Sequence, residues 1–252
     1  MTIRRLVVVA LGGSALLHAA GSETRQKVQV TNTQRMDFPA GGTLRLKNSV
    51  GVLTVDAWDR PDVEITTIKS TKAEYDARDR EKVAHELESV RVAAERRGDE
   101  LVITTDCPRH WPFPPPNLLD PLAEETNFDL EYRIKAPGAA RLIAEHGIGE
   151  VNIDGLTGDI QVTLRQGEIL LHLPEDGRYD IHAKSGSGAV NSDFPGEEKR
   201  SWWLVGHRAM NQDSQAPHKL DLRVKFGDIV ILKTRVPKTP EPMILVPKAD
   251  GL

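Results

Sequence analysis

Cysteine is almost missing from this chain, with Cys107 alone among 252 residues. A single thiol cannot close an internal disulfide, so burial and hydrogen bonding must hold the fold. Cys107 also lacks the setting of a nucleophile, because Arg109 and His110 follow it inside a proline-locked run. Aromatic residues are scarce at 5%, which argues against a broad ring-filled core and for a narrow one packed with Val, Ile and Leu. Basic excess is absent too. The net charge is −4, and removing Arg4 and Arg5 with a leader leaves 31 basic against 37 acidic residues, a charge of −6. Neither a positive field nor a basic stripe is present, so nucleic acid and anionic lipid are excluded as main partners. The phosphate-binding pattern GxxxxGK[ST], the zinc pattern HExxH and the calcium-roll pattern GGxGxD do not occur. The sequence therefore implies no cofactor, no metal and no enzyme.

Glycine, by contrast, is placed with a period. Residues 149–173 written in nines read GEVNIDGLT, GDIQVTLRQ and GEILLHL followed by Pro174 and Glu175. Gly149, Gly158 and Gly167 each open a unit of the form Gly-x-apolar-x-apolar. Two-residue alternation places Val151 and Ile153, Ile160 and Val162, and Ile169 and Leu171 on one face. The same signature appears at Gly51, at Gly227 and, in degenerate form, at Gly188. Such a pattern predicts a stacked array of short strands, with these six glycines as its structural repeat positions. The expected class is all-β: a right-handed β-helix or solenoid-like stack with one short inserted helix.

Residues 1–21 read as a signal peptide, with Arg4 and Arg5 before the apolar run Leu6–Leu17 and small residues at Ala19–Gly21. Residues 24–233 form the expected β-repeat domain. Within it, AEYDARDREKVAHEL (73–87) predicts the helix, and Val90–Ile103 predicts a hairpin, giving an insertion over 73–105. The run CPRHWPFPPP cannot be a central strand and is expected as a loop over 107–117. Residues 197–217 break the alternation and are expected as a second loop. Residues 234–252, with four prolines, are expected as an extended tail. Asn48–Gly51 and Ser185–Gly188 read as turns.

These residues resemble a family of secreted bacterial β-repeat proteins known as putative adhesins, which has no assigned activity. Four stretches carry the resemblance: Asn48–Gly51 running to Asp59, the unit Ala73–Thr105, Leu173–Pro174 through Ser185–Gly188 to Pro195, and Leu222–Lys233. The proline-rich loop and the Trp202–Trp203 segment depart from it. The resemblance implies a right-handed stack and a periplasmic or secreted location in the cell envelope, with no membrane-spanning segment in the mature chain. With no catalytic constellation in the sequence, the chain reads as a non-enzymatic, adhesin-like interaction module, with an envelope protein or a glycan as partner. A periplasmic scaffold or sensor is the alternative reading, and a β-helix carbohydrate-active enzyme a distant third.

The candidate binding side chains are Trp111 and Phe113 in the first loop and Trp202 and Trp203 in the second. Large rings in loops on a rigid scaffold suit recognition, although capping of an open stack end is the simpler reading of the tryptophan pair. His146, His172, His182, His207 and His218 could converge only through stacking, and Asp154, Asp159 and Glu168 only by lining up across strands. Surface positions are the simpler reading of both sets.

Overall fold

The computed structural model describes residues 25–106, 128–200, 207–211, 213 and 215–234. Its strands are β1 (Gln26–Asp37), β2 (Thr43–Trp58), β3 (Asp62–Tyr75), β4 (Arg91–Arg97), β5 (Glu100–Asp106), β6 (Phe128–Pro137) and β7 (Arg141–Asp154). They continue with β8 (Ile160–Pro174), β9 (Tyr179–Ser187), β10 (Val190–Ser192), β11 (Glu197–Arg200), β12 (His207–Asn211) and β13 (His218–Thr234). One helix, α1 (Arg80–Glu88), sits between β3 and β4. The helix is shorter than the sequence pattern predicts, because β3 continues to Tyr75 and takes the first residues of the charged stretch.

Nine is an odd number, and that decides the architecture. In a strictly alternating strand, residues nine apart lie on opposite faces. Yet Val151, Ile160 and Ile169 are all buried, so the alternation must slip by one residue in every nine. The first slip is the turn between β7 and β8. The second lies inside β8, where Ile160, Val162 and Leu164 are buried before Gly167 and Ile169, Leu171 and Leu173 after it. The residues from Gly149 to Leu173 are therefore not three successive short strands. They are the second arm of β7 and one long strand, β8, with a corner at Gly167. The expected turn at Asn48–Gly51 is likewise a corner within continuous β2.

Long strands of this kind lie parallel and in register. Gly149 pairs with Gly51 and with Gly167, and Gly167 pairs with Gly227. Gly149 and Gly167 have φ of 135° and 130°, a region in which residues with a Cβ are strained. A Cβ on Gly149 would overlap the carbonyl oxygen of Gly51, and one on Gly167 that of Gly149. Gly227 and Gly188 continue the column. Gly158 lies elsewhere, in the β7–β8 turn over the backbone of Ala140, so the column repeats every two nine-residue units and not every one.

Either side of the corner, apolar residues stack into ladders. In the first arm, Leu101, Leu44, Leu142, Ile160, Leu220 and Ile181 follow one another across β5, β2, β7, β8, β13 and β9. In the second arm the ladder is Tyr132, Leu53, Val151, Ile169, Ile229 and Val190. All are buried, and each aliphatic side chain so placed contributes about 1.5–3 kcal/mol of burial. The scarcity of rings is explained by this geometry. Middle rungs accept only aliphatic chains, while Tyr132 and Phe128 sit at one end and Tyr179 and Phe194, packed edge to face at 5.6 Å, at the other.

Among the described residues the strands form one open sheet in the order β1-β3-β6-β2-β7-β8-β13-β9-β12-β11. β10 pairs with the second arm of β13, and β4 joins through β5 to β2. A chain wound rung by rung would pair β8 with β9. Here β13, the last strand, lies between them. The flank β1-β3-β6 is antiparallel. The 197–217 stretch, expected as a loop, contains the antiparallel pair β11 and β12, with β12 extending the sheet from β9.

Candidate functional site

The two segments singled out by their rings leave the sheet at widely separated places. One departs at Asp106, the end of β5, and returns at Phe128, the start of β6. β5 and β6 pair with the first and second arms of β2, so this departure is from the corner of a rung. The other departs at Arg200 in β11 and returns at His207 in β12. From β6 to β11 the sheet crosses seven strand spacings, roughly 33 Å along the sheet. Trp111, Phe113, Trp202 and Trp203 themselves lie outside the described residues, as does the expected leader.

A depression of about 500 Å³ opens where second arms end and first arms begin, lined by Thr157, Pro174, Asp176–Tyr179, Pro217 and His218. Tyr179 forms its buried wall, and burial, with Asp176 nearby, raises the phenol above its ordinary range. The His218 ring stands 6.4 Å from that of Tyr179. At the rim Arg178 makes a bidentate pair with Asp213, at 2.7 and 3.0 Å, and that pair holds the Asp213 carboxyl below the usual carboxylate range. The depression is open and mostly apolar, and the guanidinium at its rim is already engaged by Asp213, so this ion pair holds the β9 and β13 entries together and is not free for a ligand.

A second cluster surrounds Trp58 at the end of β2. Its indole nitrogen donates to the Asp62 carbonyl at 2.8 Å. Arg60, Arg35 and Lys135 place cationic groups 5.2, 5.7 and 5.8 Å from its ring. Glu64 joins Arg35 and Lys135, and its hydrogen bond to Arg35 lowers the Glu64 carboxyl. Nearby Asp56 is raised, first by burial and then by Asp154, its cross-strand neighbour. Cations surround the indole ring, so the cluster works as a clasp between β1, β3 and β6.

The third arrangement is a serine on a histidine. Ser49 Oγ lies 2.7 Å from His146 Nδ1, and His146 Nε2 lies 3.0 Å from the Gly51 carbonyl oxygen. With Nε2 donating to that carbonyl, Nδ1 accepts from the serine hydroxyl. A nucleophile and a base would be joined in this way. Both are sealed, however, at 1% and 4% exposure, so the pair serves to close the corner between β2 and β7. Burial lowers the His146 pKa. The sequence carries a signal for this pair that the nine-residue reading misses: both residues stand just before a corner glycine in adjacent rungs.

Among the described side chains the other candidate histidines do not join it. His172 is on the outer face of β8, His182 faces Asp180 at 3.4 Å, and His218 lines the depression. The acids separate as well. Asp154 neighbours Asp56, Asp159 caps the backbone N–H of Lys219 at 2.9 Å, and Glu168 stacks between Glu150 and Asp228. Among the described residues no three His, Cys, Asp or Glu side chains are grouped to hold a metal ion, and no helix is long and apolar enough to cross a membrane.

No protein-family model matches the chain, and no curated protein matches it. Two solved structures are similar to it. One, a putative cell adhesion protein from Clostridium sporogenes, aligns over 81% of this chain and 100% of its own, with 16% identity and a TM-score of 0.42. The other, a putative adhesin from Parabacteroides merdae, aligns over 81% of this chain and 78% of its own, with 7% identity and a TM-score of 0.23.

Proposed function

We propose that the chain is an exported, non-enzymatic β-repeat protein that acts as an adhesin-like interaction module of the cell envelope. In this reading residues 1–21 are removed on export, and residues 24–233 form a right-handed, β-helix-like stack, modified by the insertion of β13 between β8 and β9 and by the antiparallel flank, whose purpose is rigidity. The loops over 107–117 and within 197–217 carry Trp111, Phe113, Trp202 and Trp203 to an envelope protein or glycan. The observation that carries the proposal is the placement of the two departure points, one between β5 and β6, which both pair with β2, and one within the antiparallel pair β11–β12, separated along one continuous sheet. The prolines of CPRHWPFPPP preset backbone angles, which lowers the ordering entropy a partner must overcome. Two separated contact points also suit an extended partner better than a small one.

The test compares Trp111→Ala/Phe113→Ala and Trp202→Ala/Trp203→Ala with the parent chain on glycan arrays and in pull-downs from envelope extract. A contact ring at a hot spot contributes about 2 kcal/mol or more, so each double variant should lose binding at least tenfold while its melting temperature is retained. Variants that melt several degrees lower and bind as the parent does would make these rings structural caps and overturn the proposal.

A further inference from the structure

The two edges of the sheet are unlike each other. One edge, β11, is four residues long, and shortness is a common protection against unwanted pairing. The other edge, β1, is twelve residues long and pairs only with β3 among the described residues. From Gln29 to Asp37 it contains no proline, no glycine and no register shift. Alternate residues of such a strand turn their N–H and C=O groups away from the sheet, ready to pair with another strand.

The sequence of β1 indicates which strand that is. Reading outward from Asn32 in both directions gives Thr31 and Thr33, Val30 and Gln34, Gln29 and Arg35, Val28 and Met36, and Lys27 and Asp37. Two copies related by a two-fold axis through Asn32 would place each of these pairs directly opposite. The faces agree, since odd-numbered residues from Lys27 to Asp37 are exposed while Val28, Val30 and Met36 turn toward the core. Threonine would meet threonine, valine would meet methionine, and lysine would meet aspartate, all favourable cross-strand neighbours. Within one chain the Lys27 and Asp37 side chains make no ion pair with any described residue. Asp37 stands opposite another acid, Asp62, in the β1–β3 register. Arg35 already pairs with Asp62, so Lys27 of a second copy would supply a cation to Asp37 itself, which has none of its own among the described residues.

We propose that β1 is a homodimerisation edge, pairing antiparallel with β1 of a second copy about a two-fold axis through Asn32 and so continuing the sheet across the dimer. The contact is isologous and closes on itself, which limits assembly to two copies at this edge.

Sedimentation of the full exported chain over a range of concentrations should show a monomer–dimer equilibrium. Lys27→Asp should raise the dimer dissociation constant roughly tenfold, since it turns two attractive pairs into repulsive ones. Lys27→Asp combined with Asp37→Lys should restore it, because the pairs re-form with exchanged signs. Both positions are exposed, but Lys27 faces Glu74 in the β1–β3 register, so the melting temperature of each variant is measured beside its dissociation constant, and a dimer lost only in step with folding would overturn the proposal. In a Cys107→Ser background, Asn32→Cys should cross-link under mild oxidation. Residues opposite each other in an antiparallel pair have Cα atoms about 4.5–5.5 Å apart, within disulfide range. Thr66→Cys, one strand further in, should not cross-link at that rate. A chain that stays monomeric at the highest concentration, a dimer indifferent to Lys27→Asp, or equal cross-linking at residues 32 and 66 would each overturn the proposal.

Discussion

The parallel stack of β2, β7, β8, β13 and β9 and the antiparallel flank of β1, β3 and β6 belong to one sheet but are held by different means. In the stack, inward columns are aliphatic and nearly dry, and corners are made by glycine against backbone. In the flank, Val63 and Ile65 of β3 are as dry, but the same inward face continues with Thr67, Lys69 and Thr71, all buried. Each is satisfied by a hydrogen bond: Lys69 Nζ donates to the Val90 carbonyl, Thr71 Oγ1 donates to the Ala73 carbonyl at 2.7 Å, and Thr67 is within 3.4 Å of the Asn32 carbonyl. The outer face adds Arg35, Asp62, Glu64 and Lys135 in one ion-pair group. The stack thus depends on geometry that only one backbone path satisfies. The flank depends on side chains that can adjust. Substitutions should therefore be far costlier in the first region than in the second.

Gly167→Ala is the severest way to test that contrast. Its Cβ would overlap the Gly149 carbonyl at a φ of 130°, in the middle of the parallel stack. A loss above about 4 kcal/mol is expected, read as failure to fold or a collapsed denaturation midpoint. Gly98→Ala in the β4–β5 turn also sits at positive φ, 64°, but its Cβ would meet nothing within 4 Å. About 1–2 kcal/mol is expected there. Equal losses would show that conformation alone, and not the close approach of backbones, makes the corners glycine.

Core truncation should follow the same order at smaller size. Leu171→Ala, in a fully buried ladder, should cost about 2–5 kcal/mol. Val30→Ala, half-buried in the flank, should cost about 1 kcal/mol or less. Urea denaturation of both variants checks the difference, and a flank loss matching the stack loss would undo the comparison.

His146 makes the stack sensitive to acid. Burial depresses its pKa in the folded chain, so the unfolded chain binds the proton first. Stability is fully present above the ordinary histidine value of about 6.5 and falls as pH drops toward the depressed value. Protonation would also remove the Nδ1 lone pair that accepts from Ser49. The melting temperature should fall between pH 7 and pH 5, and His146→Gln should flatten that fall even if it lowers the melting temperature at pH 7. An unchanged slope in the variant would remove His146 as the cause.

The smallest effect belongs to the flank. Glu64 is held low by Arg35, so its contribution is present at neutral pH and lost only as pH falls below about 4.3 through the depressed value. Glu64→Gln should cost about 1 kcal/mol or less at pH 7, with the loss shrinking in salt. A larger, salt-independent loss would mean that the flank is as rigid as the stack.

Much of the fold is written locally. The two-residue alternation of Ile160, Val162 and Leu164, and of Ile229 and Ile231, fixes which side chains turn inward, because a strand has period two whatever it pairs with. Gly149 and Gly167 fix where the chain bends, because few other residues tolerate their backbone. What the sequence leaves open is which strand lies beside which. A column of aliphatic chains is degenerate, and Ile160 packs against Leu142 on one side and Leu220 on the other with nothing in its own chemistry to choose between them. Only tertiary structure places β13 between β8 and β9, joins two nine-residue units into one cornered strand and brings Ser49 to His146. Each of those depends on parallel pairing between segments far apart in the chain, whose free energy exists only once the rungs are stacked.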